Sequence, residues 1–174
     1  MSRTAGFAVT GVSSRISATF TRPANTTAYT AGDVVSNDAV TTTLLEIAAI
    51  GRRPGATGYI TGAMLLTDKK SITPSIKLKF FNASTATVAA DNAPSKELYA
   101  DASKVAAGAI TMPAMTTPAD TTNSTMSKSE DMTLRVPFKC AADSQSLYVL
   151  LEAVDAFTPA SGQGFTLVLF VDHD

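Results

Sequence analysis

One histidine, His173, one cysteine, Cys140, and a few carboxylates in or beside apolar runs, Glu46, Glu152 and Asp155, are the side chains with which this chain could do chemistry. A relay of nucleophile, histidine and carboxylate needs an imidazole held in mid-fold, whereas His173 lies one residue from the end of the sequence. Asp172, His173 and Asp174 carry metal-ligating atoms, but a frayed terminus holds a metal poorly. Glu152 stands in an apolar run where burial would raise its pKa and suit it to acid–base work with Glu46 or Asp155; the plainer reading points it to solvent. Asp91, Asn92 and Asp101 offer the oxygen atoms that calcium takes, at a spacing unlike an EF-hand loop, and an Asx turn is their more ordinary role. Gly162, Gln163 and Gly164 lack the lysine and following helix of a phosphate cradle and read as a hairpin turn. Cys140, flanked by Val136, Phe138 and Ala141, reads as a small buried hydrophobe. The expectation is a protein that is no enzyme, holds no cofactor or metal, and works by binding.

The elements that must position these residues are strands. Apolar runs rich in β-branched and aromatic residues are interrupted at short intervals by turn residues, the pattern of an all-β sandwich or barrel. About eight strands are expected, drawn from residues 7–12, 15–21, 33–35, 42–50, 58–67, 75–81, 134–140, 146–154 and 165–172. Ile76, Leu78 and Phe80 alternate with Lys77 and Lys79, as in a strand with one wet face. Residues 147–151 and 165–171 are apolar on both faces and read as central strands covered on two sides. Pro137 cannot donate to a ladder, which puts its strand at a sheet edge or bulge. One short helix is expected between Ser95 and Ala107, with Ser95 as its cap. Residues 111–131, rich in Ser, Thr and Pro, read as a long loop.

The 174 residues suffice for one domain spanning 1–174 without a metal or disulfide staple. Charged residues make up 17% of the chain and hydrophobic residues 45%, against a common charged share of about 25%. Such a sparsely charged surface suits burial against other subunits in a symmetric homo-oligomer. A net charge of -1 and the absence of a basic run argue against a nucleic-acid partner. No apolar run approaches membrane-helix length, and the first residues lack the apolar core of a secretory signal, so no membrane partner and folding in a cytoplasm are expected.

Two segments carry a resemblance. Residues 19–35 read T-F-T-R-P-A-N-T-T-A-Y-T-A-G-D-V-V, a strand joined through a fixed-φ turn at Pro23 to a second strand, with Asn25 able to tighten the bend and Gly32 able to take positive φ. Residues 78–101 read L-K-F-F-N-A-S-T-A-T-V-A-A-D-N-A-P-S-K-E-L-Y-A-D, and the likeness extends to the K-V-A-A-G-A-I of residues 104–110. In these stretches the chain resembles small virion structural proteins of tailed bacteriophages, including capsid decoration (cement) proteins. That resemblance implies a jelly-roll-like β-sandwich on the capsid surface, a dimer or trimer, with the major capsid protein as partner and a stabilised head as the result. It brings no catalytic residue. The candidate contacts are the arginine turn (Arg52, Arg53), the N-terminal Ser2, Arg3 and Phe7, and the methionines of the 111–131 segment, Met112, Met115 and Met126. A tail-associated or host-adhesion protein that binds a surface carbohydrate is the alternative, although the chain has no tryptophan platform. A small hydrolase is the remote one, for want of convergent titratable residues.

Overall fold

Ten strands and one short 3₁₀ helix form in the computed structural model, which describes residues 12–41, 43–120 and 122–174. The strands are β1 (Ser13–Thr21), β2 (Val34–Val35), β3 (Leu45–Ile47), β4 (Thr57–Thr67), β5 (Ile76–Phe81), β6 (Ile110–Thr111), β7 (Ser127–Asp131), β8 (Val136–Lys139), β9 (Leu147–Ala153) and β10 (Gly164–His173). All pairings between them are antiparallel. One sheet runs β1-β10-β4, with β7 and β8 in turn along the far side of β4; the other runs β9-β5-β6, with β2 and β3 in turn along the far side of β9. Counting β2–β3 and β7–β8 each as one interrupted strand gives sheets in the order 1-8-3-6 and 2-7-4-5, the jelly-roll form of the β-sandwich. Of the expected strand at 7–12, only Val12 lies among the described residues, and it is outside any strand.

Period-two alternation explains which face each strand buries. In β4 and β5, Ile60, Leu65, Ile76, Leu78 and Phe80 point between the sheets, where they meet Leu147, Val149, Leu167 and Leu169 of the two central strands. β9 and β10, expected to be covered on both sides, are the central strands of their sheets. The outer face of β9 is covered as well: Leu150 packs with Val34, Leu44, Phe81, Ala86 and Val88 in a second, smaller apolar cluster. Pro137 lies in β8 at the margin of its sheet, opposite Tyr59, where no neighbour requires its missing N–H.

Two expectations are corrected. The long loop is shorter than 111–131 and not wholly solvated: it runs between Thr111, where β6 ends, and Ser127, where β7 begins to pair with β4, and Met112 and Met115 insert from it into the core at 0% and 2% exposure. β7 reads S-K-S-E-D and has no apolar residue to show a strand period; its inward serines are satisfied by hydrogen bonds instead. Ser127 Oγ accepts the Ile72 amide at 3.2 Å, and Ser129 Oγ donates to the Pro113 carbonyl at 2.6 Å. The helix is shorter than expected, a 3₁₀ segment at Tyr99–Lys104 preceded by Leu98, not capped by Ser95. So short a segment gains little from helical propensity. A tertiary bond holds it, from the Thr87 amide to the Asp101 carboxylate at 2.7 Å.

Candidate docking surface

The two segments that carry the sequence resemblance fold against each other. Pro23 turns the chain after β1, Asn25 Oδ1 accepts the Thr27 amide at 3.1 Å, and Gly32 takes φ 92°, so that Tyr29 and Asp33 return beside the start of β2. From the other segment, Asn92 at φ 58° turns the chain so that its amide donates to Val34 O at 2.8 Å. Between them lies a buried polar knot. Arg22 Nη2 stands 3.1 Å from Asp91 Oδ2, with the two side chains 0% and 1% exposed. Tyr29 donates its hydroxyl to Asp91 Oδ1 at 2.6 Å and accepts from Arg22 Nε, while the Ser36 amide donates to Asp91 Oδ1 at 2.9 Å. Burial and the neighbouring Asp91 charge push the Tyr29 hydroxyl far above its ordinary pKa, so it remains a donor. Arg22 also donates to the carbonyls of Asn25 and Ala160, and its guanidinium lies 4.8 Å from the centre of the Tyr29 ring. This knot fixes the loops and leaves no oxygen of Asp91 without a protein partner. Asp101, the other carboxylate considered for calcium, binds Lys104 at 2.7 Å and the Thr87 amide, and both interactions hold it below the usual carboxylate range.

The side chains considered for catalysis are likewise committed elsewhere. Glu152 neither points to solvent nor carries a raised pKa: it is 7% exposed on the outer face of β9, 3.0 Å from Lys77 and 2.5 Å from Lys79 of β5. Burial pushes its carboxyl up, but the hydrogen bonds from Lys79 and Lys77 outweigh this and hold it below the ordinary value. Stability that depends on a lowered carboxyl pKa is present above the unfolded-state pKa and disappears as pH falls through the folded one. Glu152→Gln should therefore cost about 1–2 kcal/mol at pH 7, toward the low end for charged hydrogen bonds because Lys77 is partly solvated. The gap from wild type, read from denaturant melts at stepped pH, should close as the medium is acidified below the ordinary glutamate pKa. Glu46 accepts from Ser146 at 2.8 Å, and Asp155 accepts the Ser75 amide at 3.0 Å. His173 is not frayed: it pairs with Gly58 inside β10, and its Nε2 lies 2.9 Å from Ser14 Oγ. No group of His, Cys, Asp and Glu suited to a metal occurs among the described residues. Cys140 is 1% exposed, and burial raises its thiol pKa.

A groove edged by exposed apolar side chains lies on the second of the two segments. The 3₁₀ helix and residues 105–109 flank a groove of about 460 Å³ whose floor is Phe80 and Phe81 of β5. Leu98, Tyr99 and Val105 project there at 45%, 97% and 56% exposure. Its walls are fixed: the amides of Asn82 and Ala106 donate to Lys104 O and Phe80 O at 2.8 and 2.9 Å, and Lys104 Nζ donates to Thr85 O at 2.8 Å. At the rim Lys79 bridges Glu97 and Glu152 at 2.5 Å each. Apolar groups thus stand in water on a rigid frame, ringed by paired charges.

The expected contact residues fare unequally. Arg52 and Arg53 are exposed in the turn before β4. Met112 and Met115 are core residues and cannot meet a partner, and Met126 is half-buried just before β7. Ser2, Arg3 and Phe7 lie outside the described residues. Leu98, Tyr99 and Val105 were legible only as apolar residues outside the strand periods, in a stretch otherwise read as helix. No protein-family model matches the chain, and no curated protein matches its sequence.

Proposed function

We propose that this protein is a capsid decoration protein of a tailed bacteriophage, a non-enzymatic subunit that docks on the lattice of the major capsid protein and stabilises the head. The observation that carries the reading is the rigid groove with Leu98, Tyr99 and Val105 exposed, on the segment that resembles virion proteins. Exposed aromatic and aliphatic anchors on a fixed frame are the usual energetic centre of a protein contact. The engagement of Glu152, Asp91 and Asp101 by lysine and arginine partners supports binding over catalysis, and the sparsely charged surface supports burial in an assembly. Many copies, each with a modest interface, lock a lattice through avidity.

Two measurements test this. Light scattering on the eluting protein should give a dimer or trimer suited to a symmetry axis of a shell. Added to undecorated heads, the protein should co-sediment with them, and Tyr99→Asp combined with Val105→Asp should weaken that binding about tenfold or more, equivalent to about 1.4 kcal/mol. Both positions are exposed, so the variant should melt like the wild type. Equal retention of the two proteins on heads removes the groove from the interface, and failure of the wild type to bind heads removes the decoration reading. Binding to tails in place of heads would favour the adhesion alternative.

A further inference from the structure

β1 pairs with β10 on one side and with no strand among the described residues on the other. The ladder shows which way its backbone groups point. Just before β1, Val12 O accepts the His173 amide at 3.4 Å, and just after it the Arg22 amide donates to Gln163 O at 3.0 Å. Even-numbered residues thus bond toward β10, and along an antiparallel strand the bonding side alternates residue by residue. Ser13, Arg15, Ser17, Thr19 and Thr21 therefore direct both N–H and C=O away from β10. Nothing guards that edge: β1 has no bulge, no proline and no lysine.

The side chains at this edge are short of cover as well. Ile16 and Ala18 stand in the inward row of β1 and pack against the core, yet both are only half-buried. The outward row, Ser13, Arg15, Ser17, Thr19 and Thr21, is exposed, and Arg15 is its one charged member.

We propose that β1 pairs antiparallel with β1 of a second copy about a two-fold axis at Ser17, joining the two β1-β10-β4 sheets into one. The strand is complementary to itself in this register. Ser17 exchanges both backbone bonds with its counterpart, Arg15 does so with Thr19, and Ser13 with Thr21, so the outward groups of all five residues find partners. In the inward row each Ile16 stands opposite an Ala18, a large residue beside a small one, and each copy covers the half-buried pair of the other. Arg15 meets a threonine. The two arginines lie four residues apart along the ladder, about 13 Å, beyond the screening length of about 8 Å at physiological salt. Any other axis shortens this ladder, and one at Arg15 sets the arginines opposite each other. The pairing gives the oligomer of the decoration reading a definite interface but rests on β1 alone, and the groove beside β5, in the other sheet, stays open in the dimer.

Sedimentation equilibrium of the full chain over a concentration series tests the pairing. The wild type should be a dimer. Thr19→Lys sets a lysine opposite Arg15 at two symmetric places and should weaken association about tenfold, whereas Thr19→Glu should tighten it severalfold. Both variants lose the same exposed bond to Thr166, so the difference between them reads the charge opposite Arg15. Ser17→Pro removes the N–H at the axis and should leave a monomer; that N–H points away from β10, so the fold and its far-ultraviolet spectrum should persist. A wild type that is monomeric throughout the series, or trimeric, overturns the pairing. So does a dimer that Thr19→Lys and Thr19→Glu leave equally strong, or one that survives Ser17→Pro. Tyr99→Asp combined with Val105→Asp should dimerise like the wild type, so failure on heads and failure of the pairing are separate results.

Discussion

Asp91→Asn should lower the stability of this domain by about 3–5 kcal/mol, the cost of leaving one member of a buried ion pair without its partner. For a chain of this size that is a fall in melting temperature of roughly ten degrees. The substitution keeps the shape of the side chain, so no cavity opens; what changes is that the Arg22 guanidinium, with 0% of its side chain exposed, loses its counter-charge, and the Tyr29 hydroxyl faces an amide. The remaining acceptors of Arg22, the Tyr29 hydroxyl, the Asn25 and Ala160 carbonyls at 3.2 and 3.4 Å and the Asn25 side-chain oxygen at 3.3 Å, carry no charge. If the penalty is an orphaned charge, removing both members should cost less than removing one. Arg22→Met with Asp91→Leu should accordingly melt above Asp91→Asn in the same thermal scan. A melting temperature for Asp91→Asn within a degree or two of wild type would show that water reaches the knot.

The second large effect belongs to the core. Phe165 of β10 is 1% exposed, faces Thr67 of β4 on one side and Phe20 of β1 on the other, and stacks on the Phe20 ring with centroids 5.5 Å apart. Phe165→Ala removes the ring from the strand that joins both neighbours and should cost about 3–5 kcal/mol. Phe165→Leu, which retains much of the volume, should cost clearly less, and Val40→Ala, at a residue 86% exposed, should stay within about 0.5 kcal/mol of wild type. Chemical denaturation of the three variants gives the ranking. An alanine variant no less stable than the leucine variant would mean that the sheets close over the vacated space.

The strands were legible wherever burial wrote a period into the sequence. Ile76, Leu78 and Phe80 alternate with lysines because one face of β5 meets the core, and β9 loses that alternation because both of its faces are covered; β10, expected to be covered on two sides as well, still alternates in burial, with Thr166, Phe170 and Asp172 half-buried on its outer face and only Val168 closed off there. β7 was illegible for the converse reason: Ser127 and Ser129 are buried through hydrogen bonds, and a polar strand leaves no hydrophobic trace. Met112 and Met115 sit in a Thr- and Pro-rich stretch that looked solvated, and their burial depends on β6 and β7 leading the chain back over the core. Around the polar knot, the local turn at Pro23 and Asn25 could be read from residue types, but the Arg22–Asp91 pair spans 69 residues and exists only once the sheets have formed. Glu152 shows the same limit: the plainer reading sent it to solvent, whereas it is buried, and the lysines that lower its pKa were visible in β5 without any sign that β5 and β9 would be neighbours.

The margins of the two sheets bear on how such a protein behaves when crowded. β6 is two residues long, β2 and β3 leave Leu150 of β9 without a ladder partner on their side, and the gap between β7 and β8 is followed by Pro137, which has no N–H to offer. Short, interrupted or proline-bearing margins give an incoming chain little backbone to copy, which is how native sheets avoid templating fibrils. Among the described residues only β1, nine residues long, is an uninterrupted margin. At high local concentration, runaway ribbon growth is thereby disfavoured on three of the four margins.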